Sequence, residues 1–169
     1  PLRNQGGITM TAGNTYIPLA TYTANGSTAF YDFSSISQSY TDLVLVIGGS
    51  TGDSSPFLRF NSDSSLLYSN TRLTGNGSAA SSGRTARAGG SPNDTRLEIG
   101  VGSSSEQVTN IYHIMNYSST TTYKTVLCRA NQASSYVVAY AGLWGSTAAI
   151  SAIRLGNTNS NPYTSGTVM

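Results

Sequence analysis

The sequence predicts an all-β fold, a two-sheet antiparallel β-sandwich of jelly-roll type with an extended N-terminal arm. Short apolar runs recur along the chain, and Ser, Thr, Asn and Gly fill the turns between them, a spacing typical of sandwiches and barrels. No stretch shows the helical period of about 3.6 residues. Val108 to Tyr117 and Tyr136 to Trp144 are apolar on both faces, which predicts two packed sheets, with or without a neighbouring subunit against them.

The composition is that of a globular protein with few charged residues. Its 169 residues suffice for one domain with a core. Only 9% of the residues are charged, and the net charge of +2 predicts no strong field and no direct nucleic-acid partner. The 11 tyrosines and the aliphatic runs argue against disorder. No apolar run approaches the ~18 residues that span a bilayer, so a membrane is not expected as a partner.

The stretch from Pro1 to Gly13 has no clear period and contains two adjacent glycines. We interpret it as an extended arm outside the sandwich domain, which occupies residues 14–169. Such an arm either contacts a neighbouring subunit or remains a free tail. The contact residues expected in the first case are Leu2, Arg3, Ile8 and Met10.

Two hairpin strands and a buried strand are predicted next. Tyr16 to Thr23 and Thr28 to Phe33 flank Asn25-Gly26, a dipeptide that favours a tight turn, so they predict a hairpin. Tyr40 to Gly49 includes five large aliphatic residues in a row. Such a run predicts a strand buried on both faces, at the centre of a sheet.

A long loop is predicted in the middle of the chain. Phe57 to Phe60 and Leu66 to Leu73 predict short strands. From Thr74 to Asp94 there is no large apolar residue, which predicts an exposed, irregular connection. Its candidate contact residues are Arg84, Arg87 and Asn93.

The second half of the chain predicts five strands at regular intervals, separated by polar turns. They are Arg96 to Val101, Val108 to Tyr117, Tyr123 to Ala130, Tyr136 to Trp144 and Ala149 to Leu155.

Candidate catalytic and metal-binding residues are few. His113 and Cys128 are the single residues of their kinds, so no zinc site is expected, and the chain has no Gly-x-Ser-x-Gly motif. We expect His113 to bond a neighbour and Cys128 to be buried. Asn61, Asp63 and Ser65 have the alternation of a calcium loop without its glycine and distal glutamate. We therefore predict no enzyme, no cofactor and no metal.

Seven motifs are distributed over residues 11–150. They are Thr11-Ala12-Gly13-Asn14-Thr15-Tyr16-Ile17-Pro18-Leu19-Ala20, Phe33-Ser34-Ser35-Ile36, Tyr40-Thr41-Asp42-Leu43-Val44-Leu45-Val46, His113-Ile114-Met115-Asn116-Tyr117-Ser118, Thr122-Tyr123-Lys124-Thr125-Val126-Leu127, Gly142-Leu143-Trp144 and Thr147-Ala148-Ala149-Ile150. These motifs resemble those of a family of small β-rich structural proteins of tailed bacteriophages. The family generally begins near Met10 and ends in a Leu-Tyr-Gly-like strand that this chain does not contain.

The resemblance implies a virion structural protein without enzymatic activity. A capsid decoration or cement protein is the first expectation, made in the bacterial host cytoplasm and displayed on the exterior of the phage particle. Its implied partners are the major capsid protein or tail components and further copies of itself, with a trimer as one arrangement. The alternative is the receptor-binding tip of a tail fibre or tailspike, which would hold host glycans with exposed tyrosines and with residues 74–94.

Overall fold

The computed structural model of the chain describes residues 16–52, 54–86 and 95–167, and these residues form ten β-strands. The strands are β1 Phe30–Phe33, β2 Leu43–Gly49, β3 Pro56–Phe60, β4 Tyr68–Gly75, β5 Ala80–Thr85, β6 Leu97–Glu98, β7 Val108–Met115, β8 Lys124–Gln132, β9 Tyr136–Trp144 and β10 Ile153–Asn157. This part of the chain contains no helix with the length and apolarity that crossing a bilayer requires. The predicted arm, Pro1 to Gly13, lies outside the described residues.

The strands are arranged in two antiparallel sheets that pack as a sandwich. The four-stranded sheet has the order β1-β10-β3-β6, and the six-stranded sheet has the order β2-β7-β8-β9-β4-β5. The first four strands alternate between the sheets, and β1 pairs with β10, as in a jelly roll. The predicted fold class is therefore confirmed.

The inward sides of the two sheets form one core. On β7 the buried positions alternate from Val108 to Ile114. On β9 they include Val138, Tyr140 and Trp144. The four-stranded sheet contributes Leu58, Phe60, Leu97 and Leu155 to the same core, and each of these side chains is fully buried. Burial of these side chains is the main source of stability.

The prediction of a central strand from Tyr40 to Gly49 is wrong. β2 is the edge strand of the six-stranded sheet, and only β7 pairs with it. Among its inward side chains, Ile47 is fully buried. Val44 and Val46 point outward and are 39% and 47% exposed. An aliphatic run cannot distinguish a strand covered on both faces from an edge strand whose outward side is apolar.

The predicted hairpin around Asn25-Gly26 is also wrong. The turn exists, because the Asn25 Oδ1 atom accepts hydrogen bonds from the backbone N–H groups of Ser27 and Thr28, and Gly26 has a φ of 81°. The flanking segments, however, pair elsewhere. Ala24 bonds to the chain end at Thr167, and β1 pairs with β10. Long-range pairing thus overrides the local turn signal.

The predicted irregular loop over residues 74–94 is wrong in its first part. β4 extends to Gly75, and β5 pairs with it from Ala80 to Thr85. The Asn76 Oδ1 atom caps the turn by accepting hydrogen bonds from the backbone of Ser78 and Ala79. Residues 87–94 lie outside the described part of the chain. Small polar residues form a strand here because the backbone, which every residue provides, supplies the pairing.

Among the remaining strands, β6 and β10 depart most from the predicted bounds. β6 covers only Leu97–Glu98, because the backbone of Val101 bonds to the Asn110 side chain instead of to a strand, at 2.7 and 3.0 Å. β10 begins at Ile153 rather than Ala149. The four residues before it are held from outside the sheet, since the Asn61 Nδ2 atom donates a hydrogen bond to the carbonyl of Ala149.

Candidate functional site

The outward side of the six-stranded sheet, which we call the open face, carries apolar side chains that no other described part of the chain covers. Its main residues are Val44 and Val46 on β2, Ile111 and His113 on β7, Leu127 and Arg129 on β8, Val137, Ala139 and Ala141 on β9, and Thr71 and Leu73 on β4. Leu73 is 65% exposed and Val137 is 62% exposed. Large apolar side chains are commonly exposed singly, and a set of them marks an interaction surface.

Cross-strand pairing joins these residues into continuous rows. One row runs Val46, Ile111, Arg129, Ala139, Leu73 across five strands. The next row runs Val44, His113, Leu127, Ala141, Thr71. Opposed side chains on neighbouring strands lie about 5 Å apart. The open face is therefore one connected surface rather than a scatter of separate residues.

A shallow groove of about 680 Å³ lies at one end of the open face. Leu73, Ile111 and Val137 form its apolar walls, and Arg129 and Ala139 lie between Ile111 and Leu73. An open and mostly apolar depression suits an extended peptide segment better than a small polar ligand, which needs an enclosed pocket with convergent polar groups.

The charges on the open face are positive. Arg84 on β5 and Arg129 on β8 point outward, and neither takes part in an ion pair with another described residue. None of the described outward positions of this sheet is a carboxylate. Asp42 lies just before β2 and pairs with His113, at 3.1 Å between Oδ2 and Nε2.

The outward side of the four-stranded sheet, which we call the closed face, is different. Arg154 donates two hydrogen bonds of 2.7 Å to the carboxylate of Asp32. Arg96 bonds Glu98 at 2.6 Å, and its guanidinium carbon lies 4.7 Å from the centre of the Phe57 ring. Phe57 is consequently only 2% exposed. Phe30 on the same side is 40% exposed, with the guanidinium carbon of Arg154 5.6 Å from its ring centre, so the chain covers its own apolar surface here only in part.

His113 is bonded to a neighbour, as predicted. The Asp42 Oδ2 atom is its partner, while Oδ1 of the same carboxylate accepts a hydrogen bond of 2.8 Å from the backbone N–H of Asn116. Asn116 has a φ of 52°. The pair therefore holds the turn after β7 in an uncommon backbone conformation, which is a structural role on the margin of the open face.

The oxygen atoms of the Asn61-x-Asp63-x-Ser65 segment are taken by protein donors. The Asn61 Oδ1 atom accepts bonds from the backbone of Ser151 and Ala152. The Asp63 Oδ2 atom accepts a bond of 2.7 Å from the Trp144 indole, and its Oδ1 atom accepts bonds from Ser65. Burial alone would raise the pKa of Asp63, but the bonds from Ser65 and Trp144 outweigh it and lower that pKa. The segment fastens a turn to the core.

Buried ionisable groups occupy the inner side of β8. Cys128 is free and buried, as predicted, and burial raises the pKa of its thiol to about 12. Lys124 is fully buried and donates hydrogen bonds of 2.7 and 3.2 Å to the carbonyls of Thr122 and Thr147. Burial lowers the pKa of Lys124. No group of three or more His, Cys, Asp or Glu side chains with metal-binding geometry occurs among the described residues.

Of the contact residues predicted from the sequence, the structure places only Arg84, which lies on β5 beside the open face. The others, Leu2, Arg3, Ile8, Met10, Arg87 and Asn93, lie outside the described residues. The open-face residues themselves were not predicted as a site. Their signal was in the sequence, because β7 and β9 were apolar on both sides, and the outward half of that pattern now lies on an uncovered surface.

Comparison of the chain with protein-family models, with curated proteins and with solved structures finds no match.

Proposed function

We propose that this chain is a structural protein of a bacteriophage virion, without enzymatic activity, and that it serves as a capsid decoration or cement protein on the particle exterior. The open face carries this proposal. A subunit that must attach to a particle needs a surface that is stable in water only when a neighbour covers it. The motifs that resemble phage structural proteins are the reason for proposing a phage particle, and the open face is the surface that would attach the chain to it.

The distribution of apolar surface supports an assembly role. Monomeric proteins rarely expose a contiguous apolar patch across several strands, and this sheet exposes one across five. Val46, Leu127 and Val137 are each more than two-fifths exposed. The central part of a protein interface is apolar and depleted of charge, and the rows of the open face have that composition apart from Arg129, His113 and Thr71.

The polar side chains that could have carried chemistry also favour a structural role. Asp63 accepts a hydrogen bond from the indole of Trp144. Asp42 accepts one from the backbone N–H of Asn116, and Glu98 forms an ion pair with Arg96. Each of these carboxylates is engaged in holding a turn or covering a side chain. Catalytic carboxylates, in contrast, face one another or a bound substrate.

Particle binding by matched variants tests the proposal. Leu127→Lys places a charge in the middle of the open face, whereas Ser34→Lys places one beside Asp32 and Arg154 on the closed side. Fluorescently labelled chain would be mixed with phage particles that lack it and sedimented with them. We expect the Leu127→Lys chain to lose binding at least about tenfold and the Ser34→Lys chain to bind like the parent.

The opposite pattern would overturn the decoration role. Equal binding by both variants would mean that the open face does not attach the chain to the particle. If the parent chain does not bind particle heads but binds host polysaccharide on a glycan array, and loses that binding when the β4–β5 hairpin tip at residues 76–79 is replaced, then the chain is a receptor-binding tip instead. An image of the intact virion that places the chain's density at the tail would have the same meaning.

A further inference from the structure

Besides the open face, the chain has a second uncovered apolar surface at residues 16–20, which we call the leading segment. Tyr16 is 69% exposed, Ile17 58% and Leu19 49%. The segment precedes a firm anchor, since the Tyr22 ring packs on Phe33 at 5.0 Å between ring centres and its hydroxyl donates a hydrogen bond to the carbonyl of Asp32. The leading segment therefore leaves the sandwich at a fixed point.

The leading segment is available for pairing. No hydrogen bond joins the backbone of residues 16–20 to another described residue, and Pro18 has no N–H to offer. An extended, uncharged segment with alternate large apolar side chains is the kind of chain that apolar grooves on sheets accept. The groove on the open face, lined by Leu73, Ile111 and Val137, has the matching properties.

We propose that the leading segment of a second copy of this chain lies in the groove on the open face, so that copies associate by exchange of their N-terminal segments. The inference rests on the proposed structural role and specifies its partner. The donated surface and the accepting surface differ, so two copies can exchange segments reciprocally, or several copies can form head-to-tail contacts. Such contacts close into a ring when the rotation between copies permits it and otherwise continue as a filament.

Charge favours this occupant over a face-to-face dimer. Turning two open faces toward each other would bring Arg84 and Arg129 of one copy near those of the other, without a carboxylate on either face to offset them. Burial of unpaired like charges is unfavourable. Arg129 lines the groove, and residues 16–29 contain no charged residue, so the leading segment covers the apolar walls without bringing a second positive charge against Arg129.

Light scattering during gel filtration of the full chain tests the inference. We expect an oligomer whose dissociation constant rises at least about tenfold with Ile17→Arg in the leading segment and with Val137→Arg in the groove. Leu66→Arg is the matched control, because Leu66 is 43% exposed but belongs to neither surface; we expect it to change the dissociation constant less than twofold. A parent chain that remains monomeric at high concentration would overturn the inference.

Cysteine cross-linking distinguishes the exchange from other dimers. Chains that carry Ile17→Cys are mixed with chains that carry Val137→Cys under mild oxidation. We expect disulfide-linked dimers in the mixture and few from either variant alone. Rapid cross-linking of Val137→Cys chains to each other would indicate a face-to-face dimer and overturn the exchange.

Particle binding separates this inference from the decoration role on which it rests. If the isolated chain is monomeric and yet binds particles through the open face, the exchange is wrong and the decoration role stands. If the chain oligomerises as described but binds no particle, the reverse holds.

Discussion

The two outward faces of the sandwich differ in how much apolar side-chain surface they expose to water. The closed face holds a large aromatic side chain, Phe57, and covers it with the guanidinium group of Arg96. The open face holds Leu73 and Val137 and leaves both more than three-fifths exposed. Both faces belong to one small domain, so the difference cannot come from overall composition. Among the described strand residues, the closed face exposes one large apolar side chain, Phe30 at 40%, whereas the open face exposes five. The open face therefore has more of the surface that a neighbour would cover.

The ion pairs of this chain, which has few charged residues, are also divided unequally between the two faces. Only 9% of residues are charged, yet two of the three ion pairs among the described residues lie on the closed face, Asp32 with Arg154 and Arg96 with Glu98. The closed face has the charged and hydrogen-bonded character of a surface that remains in water. The open face has the apolar character of an interface core.

The largest expected effect concerns thiol reactivity on the two sides of β8. Cys128 is buried and its pKa is raised to about 12, so its thiolate is scarce at pH 8, and reagents also cannot reach it. Leu127→Cys introduces a thiol on the open face, where Leu127 is 43% exposed. We expect the new thiol to react with a chromogenic disulfide at least about a thousandfold faster than Cys128.

The same assay measures coverage of the open face. Ser34→Cys is the control, since Ser34 is exposed on the closed side. In dilute solution both new thiols should react quickly, and on assembly only Leu127→Cys should become slow. Slow reaction of Leu127→Cys in the dissociated chain would mean that the chain already covers its own open face, and the contrast between the faces would then be lost.

The second expected effect concerns stability. Phe57→Ala removes a ring that is 2% exposed and packs beneath Arg96 and against Phe30, 6.3 Å away between ring centres. We expect a loss of about 3 kcal/mol in the free energy of unfolding, as for buried aromatic side chains. Val137→Ala, at 62% exposure, should cost less than about 0.5 kcal/mol in the dissociated chain. Urea unfolding at low protein concentration measures both.

A different outcome would be informative for each face. A small loss for Phe57→Ala would mean that the arginine cover does not bury the ring in solution. A large loss for Val137→Ala that depends on protein concentration would mean that the folded state is coupled to association.

The fold was predictable from the sequence to the level of the sandwich, because short apolar runs between polar turns indicate strands, and strands that are apolar on both faces require a second layer. On β7 and β9 buried and less buried positions alternate. What could not be predicted was the partner of each strand. β1 pairs with β10 across more than a hundred residues, and neither the turn at Asn25 nor any local pattern encodes that pairing.

The candidate site was predictable only in part, for a physical reason. Apolar residues on both sides of a strand require cover on both sides, but the sequence does not state which molecule provides it. For β2 the cover was assigned to the chain itself, and the structure instead leaves Val44 and Val46 exposed at an edge. The β4–β5 hairpin was missed because Ala80 to Thr85 contain no apolar residue larger than alanine, so their pairing left no hydrophobic signal.

The smallest expected effect tests the ion pair of the closed face. The two hydrogen bonds from Arg154, at 2.7 Å each, lower the pKa of Asp32 and outweigh the opposing effect of its partial burial. A carboxylate whose pKa is lower in the folded chain stabilises it above the unfolded pKa of about 3.9 and loses that contribution as the pH falls through the folded value. Because both side chains are about half exposed, the pair is worth at most about 1 kcal/mol.

We therefore expect Asp32→Asn to lower the free energy of unfolding by less than about 1 kcal/mol at pH 7, and we expect this difference to shrink as the pH falls toward 2, because more of the parent carboxylate is then protonated. Salt at 1 M, where the screening length is about 3 Å, should reduce the difference at pH 7. Urea unfolding of both chains across this pH range gives the measurement. A cost that does not shrink toward pH 2 would assign the role of Asp32 to packing beside Arg154, and charge would then no longer distinguish the closed face from the open one.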